Sequence, residues 1–265
     1  MAQTLAQTEN APVLEIRGLT QQFGGLTAVN DFNVKLTPGG LSGLIGPNGA
    51  GKTTVFNLVS GFYQPTKGQI FIDGVPTAGL KPHKVTALGV ARTFQNIRLW
   101  NDMTVLDNIR VAQHYRLGYG FFHSIARSKR YQQREDEIAK EAAELLEVFD
   151  LQRFALDVPK NLPYGTQRKL EIARALSSHP KLLLLDEPAA GLNSSDVQEL
   201  IRLIRWIHKK FDVTIWMIEH HMDVMMELCT QIKVIDFGQT IAEGTPETVR
   251  NHPAVITAYL GDDNI

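Results

Sequence analysis

Two clusters of residues in this chain have the types and spacing to do chemistry on phosphate. The first is Gly46-Pro47-Asn48-Gly49-Ala50-Gly51-Lys52-Thr53, which fits the phosphate-loop pattern in full. Glycines let backbone N–H groups turn inward around phosphate oxygens. A helix opening near Lys52 adds the positive end of its dipole. Lys52 then reaches the β- and γ-phosphates of a nucleoside triphosphate such as ATP, and the Thr53 hydroxyl is placed for Mg²⁺. The second cluster is Leu182 to Leu185 followed by Asp186-Glu187-Pro188, an unbroken aliphatic run ending in two carboxylates. Such runs are strands buried on both faces of a parallel sheet, and ligand chemistry in those sheets gathers at the strands' carboxyl ends. Asp186 is the expected Mg²⁺ partner, through water, and Glu187 the group that polarises an attacking water. Small-molecule kinases and GTPases carry the same two clusters, so these residues alone leave the class open.

The elements that must hold these groups are legible in the apolar pattern. Leu41 to Ile45 is predicted as the strand feeding the phosphate loop, and Val55 to Ser60 continues the helix after it, with Gly61 as a stop. Alternation around Leu14-Ile16 and Phe32-Val34-Leu36 predicts strands with one wet face. Gln69 to Asp73 and Gly89 to Phe94 read as further strands. From Asn96 to about Asp157 the pattern turns helical, with Ile138, Ala142, Leu145 and Phe149 on one face. A Gly/Phe break at Gly118 to Phe122 and a basic stretch at Arg127 to Arg134 fall inside it, the latter read as a solvated face. Strand and helix then alternate again: a helix from about Thr166 to Ser177, helix Val197 to Lys210, strand Val213 to Ile218, helix Asp223 to Leu228, and a hairpin around Phe237-Gly238. The sum is an α/β core interrupted by a helical insert.

Composition narrows the class. Of 265 residues, 43% are apolar and 21% charged, so a packed core is expected and disorder is not. The net charge of -1 argues against a nucleic-acid surface. The one cysteine, Cys229, rules out an internal disulfide and reads as a small buried hydrophobe. Six histidines, His83, His114, His123, His179, His208 and His221, read as surface or packing residues and show no metal spacing. No apolar run reaches the ~18 residues of a spanning helix. Met1 to Ala11 reads as a polar tail without a signal peptide's apolar centre. The expectation is a chain neither secreted nor membrane-spanning, with no further domain after Ala258-Tyr259-Leu260.

Further motifs then stand in order along nearly the whole chain. Leu162-Pro163-Tyr164-Gly165-Thr166-Gln167-Arg168 resembles the signature of ABC ATPases, Phe94-Gln95 their Q-loop, Ala190-Gly191-Leu192-Asn193 their D-loop and Ile218-Glu219-His220 their switch-histidine strand. Phe23, before Gly24-Gly25, sits where an aromatic ring of the family stacks on adenine. The resemblance implies a P-loop (RecA-like) ABC ATPase core over 12–94 and 163–250, an antiparallel β subdomain, an inserted helical subdomain at about 95–162 and a short extension at 251–265. It implies an ATP and Mg²⁺ site made of Phe23, the loop from Gly46 to Thr53 with Thr54 beside it, Thr53, Gln95 and Asp186 at the metal, Glu187, His220, Gln95 and Lys52 in catalysis, and Gly165 facing a partner's ATP.

Arg92-Thr93-Phe94-Gln95, Pro188-Ala189-Ala190 and the closing Gly244-Thr245-Pro246-Glu247 with Ala258-Tyr259-Leu260-Gly261 resemble the ATPase subunits of branched-chain and hydrophobic amino-acid importers, with urea and amide importers as near relatives. Implied partners are a second, different ATP-binding subunit, two transmembrane permease subunits and, indirectly, a solute-binding protein, at the cytoplasmic face of the inner membrane. A soluble ABC protein of translation or DNA repair remains the alternative, opposed by the missing tandem repeat. The chain departs from the family in two places. Pro163 stands where the signature has serine, and offers neither hydroxyl nor N–H. Asn193 stands where the D-loop often has aspartate.

Overall fold

The computed structural model describes residues 11–113 and 129–260. The tail at 1–10, the Gly118–Phe122 break, the start of the basic stretch at Arg127, His114, His123 and the end of the C-terminal extension lie outside the described residues.

Two sheets organise the chain. Strands β1 (Leu14–Phe23), β2 (Leu26–Leu36), β4 (Lys67–Ile72) and β5 (Val75–Pro76) form an antiparallel sheet in the order β2-β1-β4-β5. Its register opposes Leu14 to Leu36 and Ile16 to Val34, so the alternating apolar residues share one face. Glu15, between them, is paired with Arg17 and Lys35, which hold its carboxyl down at about 2.

The second sheet contains β3 (Leu41–Ile45), β6 (Val90–Arg92), β7 (Leu182–Asp186), β8 (Thr214–Ile218), β9 (Gln231–Asp236) and β10 (Gln239–Gly244). Its order is β10-β9-β3-β8-β7-β6, with every pairing parallel except β10 on β9. All residues of β7 and β8 are buried, as a strand covered on both faces requires. The carboxyl ends of β3, β6, β7 and β8 therefore open on one side, and the motif residues follow these ends. The strand expected from Gly89 to Phe94 is shorter, Val90–Arg92, because its chain leaves the sheet to be held by a helix described below.

Helices α1 (Lys52–Val59), α2 (Pro82–Ala87), α3 (Val105–Gln113), α4 (Lys129–Val148), α5 (Tyr164–Leu176), α6 (Ser194–Phe211), α7 (Met222–Leu228), α8 (Pro246–Arg250) and α9 (Pro253–Leu260) complete the described residues. The expected apolar face of α4 is buried, with Ile138, Ala142 and Leu145 inside and Phe149 buried just past the helix end. Ala142, Leu145 and Phe149 share a core with Ile109 of α3, Leu170 of α5 and the sheet residues Leu183 and Leu185, so the insert's helices and the sheet have one continuous interior. A second core lies between the two sheets, where Trp216 packs on Phe32 and Phe56. α5 starts two residues earlier than the pattern predicted. Pro163, with φ fixed at -54°, serves as its N-cap and pre-organises the first turn.

Candidate functional site: a phosphate cleft at the sheet's carboxyl edge

Gly46 to Gly51 turn from β3 into α1, whose first helical residue is Lys52. Two of its glycines, Gly46 and Gly51, are steric requirements. A Cβ on Gly46 would sit 2.0 Å from the Ile235 carbonyl oxygen, and one on Gly51 would sit 2.4 Å from that of Ala28. Gly51 also holds φ at 105°, a left-handed value that side chains resist. The β9–β10 turn props the loop from below: the Gly238 N–H donates to Ala50, and the Gly238 carbonyl accepts from Asn30. Lys52 Nζ donates to the carbonyls of Gly46 and Pro47 at 2.6 and 2.8 Å, spanning the loop it must serve. Burial pulls its ammonium below the ordinary lysine value, opposed by the charges of Glu187 and Asp186.

Asp186 ends β7. Its Oδ2 accepts from Arg92 Nη2 at 2.7 Å, in a pair with both side chains buried. Arg92 also donates to Asn57 of α1 at 2.8 Å, and so ties β6 and β7 to the helix behind the phosphate loop. Asp186 Oδ1 is buried without a hydrogen-bond partner. Burial raises the Asp186 carboxyl above the usual aspartate range, and Arg92 works against that rise. A carboxylate with one oxygen fixed and the other free, in a site that resists holding bare charge, has the donor chemistry of a cation ligand.

Glu187 follows at φ 48°, a left-handed conformation rare for glutamate and met where surrounding structure enforces it. The enforcement is visible. Its N–H donates to Ile218, at the end of β8, at 2.9 Å. Its carboxylate is shared: Gln95 Nε2 donates to Oε2 at 2.7 Å, and His220 Nε2 lies 2.6 Å from Oε1. An ionised carboxylate only accepts, so Nε2 carries the proton in that contact. Glu219, buried at the end of β8, accepts from the N–H groups of Ala189, His220 and His221 and so pins the turns after β7 and β8 to each other.

One cleft of about 450 Å³ is walled by Phe23, Asn48 to Thr54, Gln95, Glu187 and His220, which unites most of the residues singled out from the sequence. Asp186 lines the adjoining cleft with Thr53 and Gln95. Phe23 is 43% exposed at the rim, edge-on to Tyr63 with ring centroids 5.4 Å apart. Gly165 is not brought to this cleft. It lines a separate pocket with Pro163, Leu192 and Asp196. Asn193 N-caps α6: its side chain accepts from the Asp196 N–H at 3.0 Å and donates to Asp196 Oδ2 at 2.9 Å.

Arg92, Glu219 and the Arg168–Glu171 pair of α5 are site-building residues that motif reasoning gave no role. A signal existed for Glu219, a carboxylate closing the apolar run Ile215 to Ile218. Arg92 and Asp186 are 94 residues apart, and nothing local announces their pairing.

A loop between a parallel strand and a helix, with paired carboxylates at the end of β7, separated from β3 by β8, defines a P-loop nucleoside triphosphatase. Comparison with known proteins narrows the class. The ABC transporter family matches residues 29–190, and the branched-chain amino acid ATP-binding cassette transporter family matches residues 239–264. The high-affinity branched-chain amino acid transport ATP-binding protein BraF of Pseudomonas aeruginosa is 47% identical, covering 95% of this chain and 98% of its own. The corresponding protein LivG of Escherichia coli is 45% identical over the same shares. A solved ATP-binding cassette of an ABC transporter, in its ADP conformation, superposes with a TM-score of 0.81 at 27% identity, covering 94% of this chain and 99% of that one. The chain belongs to the ABC transporter ATP-binding proteins, of branched-chain amino acid transporter type. It is a nucleotide-binding ATPase subunit of a membrane transporter, and it works with membrane permease partners. Among the described residues no helix is long and apolar enough to cross a membrane.

Proposed function

We propose that this chain hydrolyses ATP in the cleft between its phosphate loop and Glu187, and that the hydrolysis drives import of branched-chain or other hydrophobic amino acids. The observation that carries the chemistry is the position of Glu187, held from both sides by Gln95 and His220 opposite the phosphate loop. The loop N–H groups and Lys52 bind the phosphates, and Phe23 and its neighbours at the rim take the adenine. Glu187 orients and deprotonates the attacking water, while His220 donates from Nε2 and steadies charge as the terminal phosphoryl group leaves. Thr53, Gln95 and Asp186 would hold Mg²⁺, and the free Oδ1 of Asp186 fits that role. The ion would neutralise charge on the phosphate oxygens.

The chain would sit at the cytoplasmic face of the inner membrane against two transmembrane permease subunits, supplied by a solute-binding protein. The helical stretch at about 95–162 would carry motion to them. Its ATPase partner would be a second, different cassette. Pro163 leaves the signature without a hydroxyl at the serine position, and the Tyr164 hydroxyl is engaged inward with Arg168 and Ala190. Gly165 and the N-terminus of α5 remain to meet the partner's nucleotide, with about 1.5–3 kcal/mol less than a hydroxyl bond to charge would add. The site facing Pro163 should be the weaker of the two, and equal hydrolysis at both sites would end that part of the reading.

ATP turnover by the chain alone, and by its assembly with the second ATPase, the permeases and the binding protein in vesicles, tests the proposal. Stimulation by leucine only in the full assembly is expected. Cargo-independent turnover equal to that of the chain alone would refute the import reading, and stimulation by urea or an amide instead would refute its cargo.

A further inference from the structure

Helix α5 bonds to the backbone of Gln95 and to the turn that follows Glu187, through side chains the proposed chemistry does not use. On the Gln95 side, Arg168 donates to the carbonyls of Phe94 and Gln95 at 2.9 and 3.0 Å. Glu171 accepts from the N–H groups of Phe94 and Arg98, both at 3.3 Å. The two side chains pair with each other at 2.7 Å and are 1% and 0% exposed. The loop carrying Gln95 is thus gripped through its backbone by a single turn of α5. On the Glu187 side, the Tyr164 hydroxyl accepts from Arg168 Nη2 and donates to the Ala190 carbonyl, each at 3.2 Å. The Ala190 N–H in turn donates to the Glu187 carbonyl at 3.1 Å, so this contact falls on the turn that Glu187 opens. Gly191, at φ 75°, admits the Tyr164 ring, whose nearest atom is 3.4 Å from where a Cβ would stand.

We propose that Tyr164 and Arg168 are positioning residues that align the Gln95 amide on the Glu187 carboxylate, so that the first turn of α5 sets the turnover of this chain's own site. The proposal rests on the hydrolytic reading above and deepens it. Tyr164 stands beside Gly165 at the start of α5, and its hydroxyl reaches the chain's own Glu187 turn through the Ala190 carbonyl. A displacement of α5 would move Gln95 against Glu187, since the grip on the Gln95 loop is made of four bonds to backbone, two of them from a rigid guanidinium fork.

The test uses the full assembly with the second ATPase rendered catalytically inactive, so that only this chain's site turns over. Tyr164→Phe keeps the ring and removes the hydroxyl. It should lower kcat about three- to tenfold, the scale of coupling carried by residues between sites, with KM for ATP unchanged. Arg168→Lys keeps the charge beside Glu171 but loses the fork, and should lower kcat at least as much. In a Gln95→Ala background, Tyr164→Phe should have no further effect, because both changes act through one contact. A merely structural tyrosine would give independent, multiplicative losses, and that result, or unchanged kcat in Tyr164→Phe, overturns the proposal alone. Absence of ATP hydrolysis in the unsubstituted assembly overturns the hydrolytic reading and this proposal with it.

Discussion

Arg92 shows how much of the site's electrostatics depends on one side chain. It neutralises Asp186 at 2.7 Å, bonds to Asn57, and lies over the rings of Phe56 and Phe94. Removing one member of a buried ion pair strands the other, at a cost of about 3–5 kcal/mol. Arg92→Ala should therefore lower stability by that amount in chemical denaturation, far more than a surface arginine. Asp186→Asn, which removes the charge and keeps the shape, should cost less. Lys52, Asp186 and Glu187 could be singled out from the sequence because the residues that mark them are adjacent, and the fold brings Lys52 and Glu187 to one cleft with Asp186 in the adjoining one. Arg92 and Glu219 were not, because their partners arrive from other strands and only the sheet order makes them neighbours. Pro163 and Asn193, read as departures, receive local explanations: each caps a helix, Pro163 by its fixed φ and Asn193 by its side chain.

At the scale of elements, caps and tight turns do the positioning. Asn193→Ala removes the α6 N-cap and should cost about 1 kcal/mol, read as a melting temperature lower by about 2–4 °C in a chain of this size. ATP hydrolysis would change little if the cap only anchors the helix. Gly46→Ala is different in kind. Its methyl would meet the Ile235 carbonyl, which belongs to β9 and cannot swing aside like a side chain. The loop would have to shift, and binding of a fluorescent ATP analogue should be lost while the fold persists. Element types were legible from apolar periodicity, but their ends were less so. β6 stops at Arg92 because α5 captures the backbone from Phe94 to Arg98, a tertiary grip that periodicity does not encode.

At the scale of the whole molecule, the parallel sheet gathers four strand ends into one cleft, and a continuous core joins that sheet to the inserted helices. Cys229, the sole cysteine, reports on that core. It is buried, and burial pushes its thiol up to about 12 from 9.0. The native protein should resist alkylation at pH 8, with labelling following global unfolding. The sign for stability follows: the raised folded value favours the fold below pH 9, and that contribution is lost as pH rises from 9 towards 12. The α/β core with a helical insert was legible from the order of patterns along the chain. The close fit of β9–β10 beneath the phosphate loop was not, since Gly238 meets Ala50 only after the sheet has formed.

The claim that joins these scales is that the sheet, the caps and the α5 grip hold Glu187 ready to activate water on bound ATP. Glu187→Gln keeps the shape but cannot take a proton, and its single acceptor oxygen can serve only one of the two donors, Gln95 or His220. Parallel measurement of nucleotide binding and steady-state ATP hydrolysis by this variant is the most direct test. Binding should be retained and turnover lowered by about 10²–10⁴-fold, the range of a general base; hydrolysis near the unsubstituted rate would contradict that role for Glu187.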